Sequence, residues 1–176
     1  MNLQTKFAVA SEEGLKTLFL LKEAHIQRMY GNQIDSKELK NYLDTQLNIQ
    51  RASDELNNLS TQLITVFADA EPVGYAMIKQ SVSPEVLKGI KAISYAGFYI
   101  RDQYDNQTIR ECLWKKCLSV TTFYNAYWIE LLQSDPLVSF FVNCVLRIVQ
   151  QSHLEPFAMK SYIMIWERDC EFYDKI

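Results

Sequence analysis

The sequence predicts an α+β fold: a mixed, mostly antiparallel sheet of six or seven strands, helices on both faces, and a late parallel βαβ crossover. Three observations carry that reading. The apolar pattern opens at helical period and then switches to strand-type runs joined by a short turn. From there helix and strand alternate to the end of the chain. The helical stretch between the third and fourth of the later strands is too long for a hairpin, so those two strands run parallel.

Lys6 to Ala10 is short and apolar enough for a strand. Ser11 then suits an N-cap, and Leu15, Leu18, Phe19, Ile26 and Met29 follow at helical spacing up to Gly31. A second helix opens at Asp35, with Glu38 at capping-box distance. Its stripe runs through Leu39, Tyr42, Leu43, Leu47, Leu56 and Leu59, with a break expected near Ala52-Ser53. Gln62 to Asp69 and Val73 to Gln80 read as a hairpin around Ala70-Glu71-Pro72. Ile90 to Ile100 is a third strand, Ile109 to Thr122 an amphipathic helix, and Tyr127 to Gln133 a strand. Asp135 to Gln151 reads as a helix with Pro136 in its first turn. Phe157 to Glu167 closes the chain as one strand or a hairpin.

All 176 residues are expected to form one domain (1–176), since no linker divides them and that length buries a sufficient core. Hydrophobic residues make up 48% and charged residues 22%, which excludes disorder and fibrous repeats. A net charge of −3 offers nucleic acid or anionic lipid no cationic surface, so neither is an expected partner. No apolar run reaches the ~18 residues of a membrane span, and the N-terminus lacks a signal-peptide core. A cytoplasmic protein is the resulting expectation. Cys112, Cys117, Cys144 and Cys170 with His25 and His153 lack zinc-ligand spacing, so no metal is expected and Cys112, Cys117 and Cys144 read as buried thiols. Only five glycines occur and the last 79 residues contain none, which excludes intact Walker and Rossmann fingerprints.

The order of elements, with two helices after the first strand, resembles the GNAT superfamily of acetyl-CoA-dependent N-acetyltransferases over essentially the whole chain. Local matches accompany it. Glu71 to Ala76 (EPVGYA) is similar to the family's hairpin into strand three. Phe98-Tyr99-Ile100 with Asp102-Gln103-Tyr104 is similar to the end of strand four and the lead into the cofactor arm. Asp135-Pro136 stands where the family often has Asn-Pro.

The resemblance implies that the backbone of Phe98, Tyr99 and Ile100 borders the pantetheine of acetyl-CoA. It further implies that Asp105, Asn106, Gln107, Thr108, Ile109 and Arg110 cradle the pyrophosphate at a helix start. Where the family's arm reads Gln/Arg-x-x-Gly-x-Gly/Ala, this chain has Asp105, Thr108 and Arg110. Arg110 then has two fates: a two-point bond to the pyrophosphate, or a stem that fills the cradle or points to solvent, the second favoured because Asp105 is close enough along the turn to pair with it. The family's general-acid tyrosine aligns with Val142, or with Phe141 after a one-residue slip, and neither donates a proton. Glu130, acidic inside a core strand, is the candidate base, or else turns outward to solvent.

Two functions stay open on this reading. One is an acetyl-CoA-dependent N-acetyltransferase acting on a small-molecule or peptide amine. The other is a GNAT-fold binding or interaction protein without chemistry. Tyr30, Tyr42, Tyr124, Tyr127 and Trp128 either line an aromatic acceptor site or belong to the core. Some of the 22 aromatic side chains fit a homodimer interface instead.

Overall fold

The computed structural model describes residues 2–168. The elements are β1 (Leu3–Phe7), α1 (Glu12–Tyr30), α2 (Ser36–Gln46), α3 (Ile49–Asn57), β2 (Thr61–Ala68), β3 (Glu71–Lys79), β4 (Ala92–Ile100), α4 (Gln107–Val120), β5 (Ala126–Leu132), α5 (Leu137–Asn143), β6 (Arg147–Leu154) and β7 (Met159–Glu167). The strands form one seven-stranded sheet in the order β1-β2-β3-β4-β5-β7-β6. β4 and β5 run parallel, while β1–β2, β2–β3, β5–β7 and β6–β7 pair antiparallel. The expected sheet and its late crossover through α4 are thus present. Within the described residues the chain divides into two compact units, 2–79 with 96–120 and 80–95 with 121–168.

In the first unit, α1 starts because the Ser11 side chain accepts from the Gly14 amide at 3.1 Å. Its apolar stripe buries Leu18 and Leu21 against Leu63, Tyr75, Met77 and Tyr99 of the sheet, with Ala52 of α3 closing the cluster. Each such leucine contributes about 1.5–3 kcal/mol on burial. Side chains alternate across a strand, so neighbours on β4 serve opposite faces. Tyr99 meets α1, while Phe98 turns its ring edge to Trp114 of α4, with centroids 6.4 Å apart.

β3 and β4 lie too close at one point for any side chain. A Cβ on Gly74 would stand 2.5 Å from the Tyr99 carbonyl oxygen and 2.7 Å from Ile100 Cδ1. The nearer atom is backbone and cannot swing away. Gly74→Ala is expected to cost about 1–3 kcal/mol through overpacking, read as a lower urea midpoint at unchanged m-value. A midpoint equal to wild type would refute the tight approach.

In the second unit, β5 and β7 pair from Ala126↔Glu167 to Leu132↔Ser161. Tyr127 stacks on Trp166 at 4.6 Å between centroids, and Leu87, Ala126, Ile163 and Ile165 form a small core. The Tyr95 hydroxyl meets Thr121 Oγ1 at 2.9 Å inside this unit.

Three sequence expectations need correction. The first strand lies at Leu3–Phe7 instead of Lys6 to Ala10, because the chain already turns at Val9, whose carbonyl accepts from Ser11 N at 2.7 Å. The break in the second helix falls at Leu47-Asn48, where the Asn48 side chain caps α3 by accepting from Arg51 N. The helix expected over Asp135 to Gln151 stops at Asn143. Val145 has a left-handed φ of 62°, and Arg147–Leu154 is a strand paired to β7. β-Branched Ile148 and Val149 suit a strand, and pairing in space outweighs the helical periodicity. Positive φ also occurs at Ala158, between β6 and β7.

Candidate functional site

The ladder between β4 and β5 covers only Ala92–Tyr95 with Ala126–Ile129, although β4 runs on to Ile100. Beyond Tyr95, the orientation of the β4 backbone follows from its bond to β3. Arg101 N donates to the Val73 carbonyl at 2.8 Å. Successive residues of a strand alternate the direction of their amides, so the N–H groups of Phe98 and Ile100 face away from β3. That edge matches what an extended, amide-bearing ligand chain can pair with. The side chains of Phe98, Tyr99 and Ile100 are themselves buried, so only their backbone is offered.

After β4 the chain makes a short 3₁₀ turn at Asp102–Tyr104 and enters α4. Asn106 caps the helix, its side-chain oxygen accepting from Ile109 N at 3.1 Å, as its residue type favours. Gln107 and Thr108 are exposed and Ile109 is buried. Asp105 and Arg110 form a two-point pair: Arg110 Nε donates to Oδ1 at 2.5 Å and Nη2 to Oδ2 at 2.8 Å. Their side chains are only 10% and 18% exposed. Arg28, from the last turn of α1, brings Nη1 to 3.7 Å from Asp105 Oδ2. The same nitrogen donates to the Ile100 carbonyl and to Asp102, each at 3.2 Å. Arg101 and the Tyr104 hydroxyl both donate to Glu71, whose carboxyl is thereby held below its usual range.

Solved structures of known proteins share this arrangement of elements. A PaiA N-acetyltransferase of Thermoplasma acidophilum, solved in complex with coenzyme A, superposes with a TM-score of 0.75 at 13% identity, covering 95% of this chain and 99% of its own. An acetyltransferase of Thermus thermophilus gives 0.64 at 14% identity, covering 95% and 97%. A GCN5-related N-acetyltransferase of Rhodopseudomonas palustris gives 0.64 at 13%, covering 94% of each chain. The chain has the GNAT fold. No family model matches its sequence.

Within this GNAT fold the residues expected at the cofactor arm, Phe98 to Ile100 and Asp105 to Arg110, all belong to the first unit. Arg110 is paired with Asp105. Sequence reading missed Arg28 and the His25–Tyr75 pair. His25 Nδ1 and the Tyr75 hydroxyl are 2.8 Å apart. The imidazole stacks on Tyr99 at 4.7 Å, and the Arg28 guanidinium covers the same ring at 4.7 Å. Burial, reinforced by the Arg28 and Lys22 cations, pushes His25 down to about 3, so the ring is neutral in the fold. Burial likewise pushes the Tyr75 hydroxyl up. The only sequence signal for Arg28 is its place in a helix's last turn, where a basic residue is ordinary.

In the second unit, Glu130 is half-buried, and its Oε1 accepts from Ser161 Oγ at 2.6 Å. It does not simply turn out to water. Val142 is exposed and Phe141 fully buried, so α5 presents no acid at either position. Tyr30 and Tyr127 are core residues; Tyr42, Tyr124 and Trp128 are partly covered. Cys117 is buried, whereas Cys112 and Cys144 are partly exposed, contrary to the expectation of three buried thiols; Cys170 lies outside the described residues. Among the described residues no three His, Cys, Asp or Glu side chains gather as a metal site, and no helix is long and apolar enough to cross a membrane. A cavity of about 560 Å³ lies beside β1, lined by Lys6, Ser11, Gly14, Thr65 and Phe67 among others, and shares no residue with the arm.

Proposed function

We propose that the protein is an N-acetyltransferase that moves an acetyl group from acetyl-CoA to a small-molecule or peptide amine. The observation that carries the reading is the match of 94–95% of the chain to acetyltransferase structures, an N-acetyltransferase in complex with coenzyme A among them. The β4 edge supports it. The N–H groups of Phe98 and Ile100 would hold the pantetheine amides, and the exposed start of α4 at Asn106 to Thr108 would face the diphosphate. The bound thioester supplies an activated acyl carbon. Around it, whichever of the Phe98 and Ile100 N–H groups pantetheine leaves unpaired is available to stabilise an oxyanion; Glu130 is kept as the candidate to accept the amine proton. A tyrosine acid is missing at Val142, so the departing sulfur takes its proton from water or from the amine itself.

One observation favours a second reading, a GNAT-fold binding protein without chemistry. The Asp105–Arg110 pair stands where the resemblance places the pyrophosphate cradle. A thermal-shift titration with acetyl-CoA, followed by an acetylation assay over a panel of amines, separates the two. Acetyl-CoA at 100 times its Kd is expected to add about 2.7 kcal/mol of stability. A shift without transfer to any amine supports the binding protein. No shift at millimolar acetyl-CoA removes the enzyme.

A further inference from the structure

We propose that the cavity beside β1 is a binding site for a small zwitterion carrying an apolar group, of the chemical class of a free amino acid or dipeptide. Its volume of about 560 Å³ lies in the range of small-molecule sites, and its whole lining belongs to the first unit. The two outer strands build the floor. β1 pairs with β2 so that Gln4 stands opposite Phe67 and Lys6 opposite Thr65. Residues directly opposite in an antiparallel pair turn their side chains to one face, so these four share the floor. The first turns of α1, Glu13 among them, form the wall.

The lining points to that ligand class. Thr65 borders the cavity while only 2% exposed, and its hydroxyl meets no hydrogen-bond partner among the described residues. A hydroxyl taken out of water without a partner costs free energy, which a polar group of a ligand restores. Lys6 faces the cavity from the floor and Glu13 from the wall, and neither makes an ion pair among the described residues. The other polar groups there are already engaged. Asp69 Oδ1 accepts from Asn2 N at 2.7 Å, and Ser11 Oγ from Gly14 N at 3.1 Å. The Phe67 ring centroid lies 5.2 Å from the Lys6 ammonium, which sets an apolar surface beside the cation. A carboxylate for Lys6, an ammonium for Glu13 and an apolar group for Phe67 answer all three. A ligand with one charge leaves either Lys6 or Glu13 unanswered. The inference is independent of the acetyltransferase reading, since the cavity and the arm have no residue in common.

Calorimetric titration of the full chain with the dipeptide alanyl-phenylalanine and with free phenylalanine tests the site. N-Acetyl-phenylalanine, which lacks the ammonium, and phenylalanine methyl ester, which lacks the carboxylate, are the controls. Wild type is expected to bind at least one of the two zwitterions saturably. Each control should bind about tenfold or more weakly, the equivalent of one charge-assisted bond. Lys6→Gln should lose the carboxylate contact and Glu13→Gln the ammonium contact, each with a loss of similar size. Both side chains are exposed, so these two variants keep the fold. Thr65→Val, checked by circular dichroism, should weaken binding at nearly unchanged side-chain volume. Absence of saturable binding for both zwitterions at millimolar concentration overturns the proposal. Affinity within about twofold of wild type in Lys6→Gln or in Glu13→Gln overturns it too, as does a control that binds as tightly as the zwitterions.

Discussion

Asp105→Ala is expected to lower the stability of the fold by about 3–5 kcal/mol, the range for breaking a buried ion pair from one side. Arg110→Ala should cost clearly less. The asymmetry follows from counting charges. Asp105 is the shared carboxylate, in two-point contact with Arg110 and 3.7 Å from Arg28. Without it, two guanidiniums that are each less than one-fifth exposed lose the carboxylate they share. Without Arg110, the carboxylate still has Arg28. Arg28 itself is steadied by Asp102, but that side chain is 74% exposed, and a pair so open to water is worth little. Urea denaturation of the two alanine variants decides the matter. Equal losses, or a loss below about 1 kcal/mol for Asp105→Ala, would mean that the pair behaves as a surface contact.

The second large effect is on pH dependence. His25 has a folded pKa pushed down to about 3, first by burial and then by Arg28 and Lys22. In the unfolded chain it titrates near 6.5. Between those values the unfolded state holds a proton that the folded state refuses, so stability falls as the pH falls. Above about pH 6.5 the imidazole is neutral in both states and contributes nothing to the slope. From pH 6.5 to 4.5, before most carboxylates protonate, wild type should lose about 2–3 kcal/mol through this group. His25→Gln should flatten that part of the curve, at the cost of altering the contact with the Tyr75 hydroxyl. Parallel curves for the two proteins over this range would show that His25 accepts a proton in the fold. Below the window Glu71 adds a slope of the same sign, since its carboxyl is held low by Tyr104 and Arg101.

Much of the fold was legible because its signals are local. Ser11 and Asp35 cap helices at the positions their residue types announce, and both side chains make the expected bonds. The period change at β2 and the long segment before β5 give the hairpin and the crossover. What could not be read is set by partners distant in sequence. Ile148 and Val149 lie inside an apolar run that has helical periodicity, and only β7 alongside makes them a strand. The same limit applies at the site. Asp105 and Arg110 are close enough along the chain for their pairing to be one of two readable outcomes. Arg28 reaches them from α1, and nothing in its own neighbourhood marks it. His25 and Tyr75 meet only because α1 lies across β3 and β4.

The two left-handed turns that follow α5 and β6 have a bearing on how the chain can change over time. Val145 and Ala158 hold φ values of 62° and 49° in a stretch of sequence that contains no glycine. A β-branched residue in that conformation works against its own sterics. Both turns therefore hold the polypeptide above its lowest backbone energy. They are places where glycine or asparagine would relax the backbone without altering any residue of the arm. A lineage moving to warmer surroundings has that reserve to draw on, and the arm can stay as it is while the turns adapt.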